Sequence, residues 1–356
     1  MNNSDFIAKY LTEKGYDTAF GVTGGGAMFL NEAFRKEKKL NFIFMHHEQS
    51  AAMAAEAYFR IKNKPAILSV TSGPGGTNSL TGLIGAWIDS IPMIVISGQV
   101  GLKAMGTDAF QEAPATQLTQ VFTKFSYCLQ NPEEIPEIMD YAFYLAQDGK
   151  KGVVHLDLPK CVATQEIDIN SLGTVENQKS FENRFIGEDY FEVKPDTVSM
   201  SPEYYDNLES QVKEVGEIIN KSQKPIFYVG QGCADAVRQL KKNVYLNHIP
   251  VTSTIHGKGI FPESDTHSLK WCGMHGMPAA NYALQEADCI VAVGSRFDDR
   301  TTGNTDFYAP VAKDKKQIIH VDIEPKQFGK SVDSHYNIKA DSKLFLEMLY
   351  EHLEDN

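Results

Sequence analysis

The sequence is poor in cysteine, in long apolar runs and in positive charge. Five cysteines, Cys128, Cys161, Cys233, Cys272 and Cys289, stand far apart in 356 residues, with no Cys-x-x-Cys pair and no histidine at zinc-finger spacing. That spacing argues against a disulfide framework or a structural zinc site and leaves reduced packing thiols as the expectation. No apolar stretch reaches the roughly 18 residues of a membrane-spanning helix. The opening MNNSDFIAKYLTEKG places Phe6, Ile7, Tyr10 and Leu11 at helical spacing and has no basic-then-apolar export pattern, so a cytoplasmic location is expected. Lys plus Arg number 34 against 46 Asp plus Glu, a net charge of -12. Such a surface repels phosphate backbones and anionic lipid alike, so neither nucleic acid nor membrane is an expected partner.

What is present is enough apolar material for more than one core. At 42% apolar residues over 356 positions, two domains are the default. The runs TAFGV, NFIFM, PAILSV, PMIVISG and GVVHLDL alternate with helical stretches up to about residue 164. Alternation of this kind predicts βαβ units around a parallel sheet. The pattern fails over residues 165–205, a polar stretch read as an interdomain linker. It resumes with a helix through Val212, Val215 and Ile218, the runs PIFYVG, VYLNHIPVTST, DCIVAVG and QIIHVDI, and a last helix in DSKLFLEMLYEHLE. The predicted architecture is α/β, with two doubly wound parallel-sheet domains over residues 1–164 and 206–356.

Five segments carry the candidate chemistry. In NFIFMHHEQSAAMAAEAYFRI a strand runs into HHEQ and an alanine-rich helix, placing Glu48 at a strand's carboxyl end, where open α/β sheets hold ligands. A carboxylate in a first helical turn is also explained by the helix dipole alone. TSGPGGTN (71–78) and GVTGGGAM (21–28) are glycine-rich turns between strand and helix. Each serves equally as a simple chain reversal, and neither has the spacing of a dinucleotide fingerprint or a P-loop. GTDAFQE (106–112) has no periodicity and reads alone as a polar loop. In the second half GMHG (273–276), VGSRFDDRTTG (293–303) and VDIEP (321–325) follow one another. There Arg296 and Arg300 offer bidentate donors for a diphosphate and Asp322 an acceptor for ribose hydroxyls, while RFDDR by itself is also a plain surface ion-pair cluster.

Taken together these strings resemble the thiamine-diphosphate-dependent acetolactate synthase family. E-Q-x-A-A-x-x-A-E-A-Y after HHEQ is similar to the segment around that family's activating glutamate. The resemblance implies that Glu48 hydrogen-bonds the aminopyrimidine ring nitrogen and favours the imino tautomer that takes the thiazolium proton. It implies further that Pro74 and Asn78 line the pyrimidine half of the cofactor, that Gly25 of GVTGGGAM lies near the reacting carbons, that Phe110 and Gln111 face the substrate and cofactor, and that Lys160 of HLDLPKCV lies at the channel mouth. G-M-H-G followed by G-x-R-F-D-D-R-x-T-G resembles the pattern that holds FAD in these enzymes. This assigns FAD contacts to Gly230, Gly232, Thr254, Met274, His275, Gly294, Arg296, Asp298, Arg300, Asp322 and Asp341, with Lys150 added from the first half.

Four positions depart from the family's pattern: Thr23 replaces a usual Pro, Lys150 an Arg, Cys161 an Asp and His256 a Gln. The G-D-G-then-Asn motif that anchors the diphosphate through Mg²⁺ in a third domain has no counterpart here, and no metal ligands are assigned. The expectation is therefore the pyrimidine-binding and central domains of such an enzyme, as a fragment or one half of a split one. The implied reaction is decarboxylation of pyruvate and transfer of the two-carbon unit to a 2-oxoacid. A nucleotide-linked keto-sugar as acceptor, a pyruvate oxidase-like use of FAD and a non-catalytic FAD-binding module stay open as alternatives. The resemblance also implies a homodimer or homotetramer and leaves a regulatory subunit open.

Overall fold

The computed structural model describes residues 1–167 and 201–354, so most of the expected linker lies outside the described residues. The chain divides into two compact units, Met1–Thr197 and Val198–Asn356.

The first unit holds six strands: β1 (Thr18–Gly21), β2 (Asn41–Phe44), β3 (Ala66–Val70), β4 (Met93–Gln99), β5 (Phe125–Cys128) and β6 (Val153–Pro159). They form one sheet in the order β2-β1-β3-β4-β6-β5, every described pair parallel. Parallel strands between two helical layers bury both faces, which is why β3, β4 and β6 are buried along their whole length. Ile67, Ile94 and Ile96 pack with Ile7, Leu11, Leu30 and Phe34 on one face. Leu68, Met93 and Val95 alternate to the other, against Ala51, Ala55, Leu83 and Ala86. There the helices Glu48–Lys62 and Pro74–Ile88 approach closely: a Cβ on Gly82 would lie 2.4 Å from that of Ala52. Strand order reverses between β1 and β3, so the carboxyl edge there is a topological switch point, the usual site of a ligand crevice.

The second unit repeats the plan with β7 (Pro225–Val229), β8 (Val251–Ser253), β9 (Ser268–Trp271), β10 (Cys289–Val293), β11 (Ile318–Asp322) and β12 (Tyr336–Lys339). The order is β12-β11-β10-β7-β8-β9, again parallel, and the reversal falls between β10 and β7. The helices Pro202–Lys221, Val237–Asn247 and Ser342–Tyr350 bury Val212, Val215, Leu240, Val244 and Phe345 on one face. Pro278–Glu286 and Pro310–Asp314 cover the other through Ala280, Leu284 and Ala312.

Three details differ from the sequence reading. VYLNHIPVTST is not one extended run: Val244 to Asn247 close a helix that His248 ends in the left-handed conformation, φ 53°, and strand begins only at Val251. Leu240 and Val244, four apart, already belonged to a helical stripe. Strands β5, β9 and β12 were not anticipated. Each is a four-residue edge strand with mixed exposure, so none leaves a continuous apolar run to detect. The first helix of the second unit starts at Pro202, capped by Ser201 accepting from the Tyr204 amide at 3.2 Å, ahead of the expected boundary at 206.

Candidate active site

Glu48 is the first residue of its helix, following β2, and His47 caps that helix by accepting the Gln49 amide at Nδ1, 3.1 Å away. His46 and His47 are exposed, whereas Glu48 is 8% exposed. A buried carboxylate requires a hydrogen-bond partner, and Asn78 supplies it, its Nδ2 donating to Glu48 Oε2 at 3.1 Å. Glu48 Oε1 accepts no hydrogen bond from any described side chain and faces Gly75, where a Cβ would sit 3.6 Å from that oxygen and 2.6 Å from Thr71 Cγ2. A side chain at Gly75 would collide with Thr71 and touch that carboxylate oxygen.

The turn after β3 is built into this corner. Gly73 has φ +59°, and Pro74 opens the following helix at its first position. The turn after β1 packs on it: the Gly26 amide donates to Thr71 Oγ1 at 2.8 Å, and a Cβ on Gly24 would lie 2.5 Å from Thr71 Cβ. Gly25 between them faces open space, with no atom within 4 Å of a Cβ built there. Gln111 also reaches this corner, because a Cβ on Gly73 would meet the Gln111 carbonyl oxygen at 2.7 Å. Thus Gly25, Glu48, Pro74, Asn78 and Gln111 gather at the carboxyl edge of one sheet. Phe110, 88% exposed, stands beside Gln111 in the same loop, and Lys160 follows the carboxyl end of β6. Lys150 does not join them. It precedes β6 at the sheet's opposite edge, its Nζ 5.4 Å from the centre of the Trp87 ring.

Beneath the loop is a buried polar network that the sequence reading did not assign. Ser97 Oγ donates to Asp157 Oδ1 at 2.6 Å and lies 2.7 Å from His155 Nε2, while Gln99 Nε2 donates to Asp157 Oδ2 at 2.7 Å. With Asp157 accepting from Ser97, His155 donates from Nε2 and accepts at Nδ1, where Thr119 Oγ1 is 2.8 Å away. Burial pushes the Asp157 carboxyl up to about 7 and the His155 imidazole down to about 4, because removal from water penalises either charge. The available signal was a string of polar residues, Ser97, Gln99, His155 and Asp157, inside otherwise apolar strands.

In the second unit the assigned residues also collect at the carboxyl edge. Gly230, Gly232 and Gly294 are explained first by backbone packing. A Cβ on Gly230 would lie 2.0 Å from the Gly294 oxygen, the Gly232 amide donates to that oxygen at 3.1 Å, and Gly294 has φ +58°. Asp298 caps a short helix by accepting the Arg300 and Thr301 amides, and Asp341 caps the helix from Ser342 in the same way. Ser342 Oγ donates to the Gly232 oxygen at 2.8 Å, tying that cap to the glycine turn. Thr254 Oγ1 accepts from the Gly257 amide, and Asp322 Oδ1 from that of Glu324. GMHG and RFDDR, 20 residues apart in sequence, touch: the Met274 amide donates to the Arg300 oxygen at 2.7 Å. Arg296 lies half-buried in that loop, before Phe297 at φ 50°. Met274 at 62% exposure, His275 and the Arg300 side chain at 73% face outward, available to a ligand. Among the described residues no group of three or more His, Cys, Asp or Glu side chains is placed to hold a metal ion.

Comparison with known proteins bears on both units. The family model of the thiamine pyrophosphate enzyme N-terminal TPP binding domain matches residues 1–119, and that of the thiamine pyrophosphate enzyme central domain matches residues 212–349. The chain is 37% identical over 352 residues to a chloroplastic acetolactate synthase of Arabidopsis thaliana, covering 99% of this chain and 49% of that protein. It is 36% identical over 356 residues to acetolactate synthase 2 of Nicotiana tabacum, and 37% identical over 351 residues to acetolactate synthase 2 of Zea mays. Those matches cover 99% of this chain and 49% and 51% of the relatives. The chain thus spans about half the length of the curated relatives it matches.

Proposed function

The chain belongs to the thiamine pyrophosphate enzymes, carrying their N-terminal and central domains, and on that premise we propose that it takes part in an acetolactate synthase-type reaction. In this reading pyruvate is decarboxylated and its two-carbon unit passes to a 2-oxoacid. The observation that carries the proposal is the buried Glu48 carboxylate, oriented by Asn78 through one oxygen and accepting no hydrogen bond from a described side chain at the other. The corner fits an aminopyrimidine ring: glycine backbone on two sides, open space at Gly25, and a carboxylate oxygen awaiting a donor. When bound, thiamine diphosphate supplies a carbon nucleophile that attacks the 2-oxoacid carbonyl. Glu48 Oε1 would accept the hydrogen bond of the pyrimidine ring and hold the shared proton there, while Asn78 keeps the carboxylate in its plane. Phe110 and Gln111 would face the substrate, and Lys160 would draw anionic acids toward the edge.

We assign FAD to the central domain, held through Met274, His275, Arg296 and Arg300 with the capped loops at Gly230, Asp298 and Asp341. The exposed guanidinium of Arg300 and the exposed thioether of Met274 at one sheet edge fit a diphosphate beside an aromatic ring system. Magnesium is assigned to none of these residues. Exposed Met53, Ile84 and Ile88 on the two helices flanking Glu48 support assembly with a second copy.

The test is product analysis with the enzyme that carries this chain, supplied with thiamine diphosphate, Mg²⁺ and pyruvate. Acetolactate should form, and Glu48→Gln should lower kcat by about 100-fold or more. Carbon dioxide release without acetolactate would move the acceptor to another carbonyl compound, such as a nucleotide-linked keto-sugar. No carbon dioxide release would reject the reading.

A further inference from the structure

The loop that carries Phe110 and Gln111 has no regular hydrogen-bonding pattern, yet side chains pin it at both ends. Three of its residues lie in the left-handed region: Gly106 at φ 80°, Asp108 at 55° and Gln111 at 62°. Two of these are not glycine, and such a conformation persists only where the surroundings over-determine it. At one end Glu112 supplies that constraint. Its Oε1 accepts the Gly106 amide, its Oε2 accepts the Ala109 amide at 3.1 Å, and its own amide donates to the Ala109 oxygen at 2.8 Å. These amide donors, Gly106 first, hold the Glu112 carboxyl below its ordinary range. At the other end Gln99 Nε2 donates both to the Ala113 oxygen, at 3.0 Å, and to the buried Asp157 carboxylate. Gln99 Oε1 accepts the Val100 amide at 2.9 Å, which fixes the orientation of its side-chain amide. The pinned loop then lays the Gln111 backbone against Gly73, next to the helix that carries Asn78.

We propose that Glu112 and Gln99 are positioning residues that set this loop and thereby hold Phe110 and Gln111 at the Glu48 site, a role that rests on the reading of that site given above. Neither side chain touches the reacting atoms. Glu112 closes the loop on itself, and Gln99 moors it to the sheet core through Asp157.

The test is hydrogen–deuterium exchange on the full chain without any cofactor. Glu112→Ala should speed exchange of the Gly106, Ala109 and Glu112 amides tenfold or more, with Glu112→Gln between it and the parent because one amide oxygen still accepts. Gln99→Met should loosen the same segment from its other end. In every variant the amides of β3 and β4 should keep their parent rates. Unchanged loop exchange in Glu112→Ala, or equal acceleration in loop and sheet, would overturn the proposal. If Gln99→Met does not fold, the two Glu112 variants decide. Because exchange is read without turnover, a loop that loosens in an enzyme forming no acetolactate would uphold the positioning and reject the function.

Discussion

Asn78 Nδ2 donates to Glu48 Oε2 at 3.1 Å, joining the first residue of one helix to the second turn of another, the two following different strands of one sheet. The bond crosses 30 residues of sequence and decides which oxygen of a buried carboxylate remains available. A carboxylate with both oxygens occupied would be inert, and one with neither would be costly to bury.

Asn78→Ala removes that orientation without removing the carboxylate. We expect kcat to fall by about tenfold, the worth of one hydrogen bond to a charged group. Asn78→Asp should be worse, because two carboxylates would then face each other. Steady-state turnover of the two variants against the parent checks the order; equal activity in all three would sink the role given to Asn78.

Gly75→Ala tests the opening beside Glu48. The new methyl would clash with Thr71 Cγ2 at 2.6 Å and come into ordinary contact with Glu48 Oε1 at 3.6 Å. Overpacking of this kind costs about 1–3 kcal/mol. The variant should melt lower and bind thiamine diphosphate more weakly, as read by thermal unfolding and cofactor titration. Unaltered cofactor affinity would mean that ligands do not approach Glu48 from this side.

Asp157 and His155 should oppose each other in the pH dependence of stability. Folded Asp157 keeps a proton between its ordinary 3.8 and about 7 that the unfolded chain has released, so its contribution is lost as pH rises through that window, at most about 4 kcal/mol. Folded His155 refuses a proton between 6.5 and about 4 that the unfolded chain takes up, so its contribution, about 3 kcal/mol, is lost as pH falls. The two nearly cancel from pH 4 to 6.5. Relative to the parent, Asp157→Asn should lose stability as pH is lowered across that range, and His155→Leu should lose it as pH is raised. Denaturant midpoints at pH 4.5 and 6.5 read the signs; parallel curves for parent and both variants would contradict the assignment.

Two charged residues of the second unit separate fold from ligand. Asp298→Ala deletes a helix cap and should cost about 1 kcal/mol, which Asp298→Asn restores. Arg300 pairs only loosely with Asp299, at 3.9 Å on an exposed surface, so Arg300→Ala should leave stability within about 0.5 kcal/mol. If FAD lies there, Arg300→Ala weakens its binding while the melting temperature of the flavin-free protein stays put. Unchanged FAD affinity would leave Arg300 as surface charge.

The sequence by itself determined the architecture and singled out candidate residues for the site. Apolar runs bounded by Gly and Pro marked the central strands other than β8, whose three residues were lost in the longer run VYLNHIPVTST, because strands buried on both faces are mostly apolar. The edge strands β5, β9 and β12 escaped because one open side removes that requirement. Glu48, Pro74 and Asn78 were legible only through the resemblance of their strings to a known family, since a first-turn carboxylate and a glycine-rich turn have plain structural explanations of their own. What the strings could not give is which of their members meet. That Asn78 orients Glu48, and that Gly230, Gly232 and Gly294 serve one another's backbones, follow from strand order, which puts β2 and β3 on either side of β1 and β10 beside β7. The network from His155 through Asp157 and Gln99 to Ala113 is likewise tertiary: its members come from β4, β6 and a loop, and only a shared lack of water makes them partners.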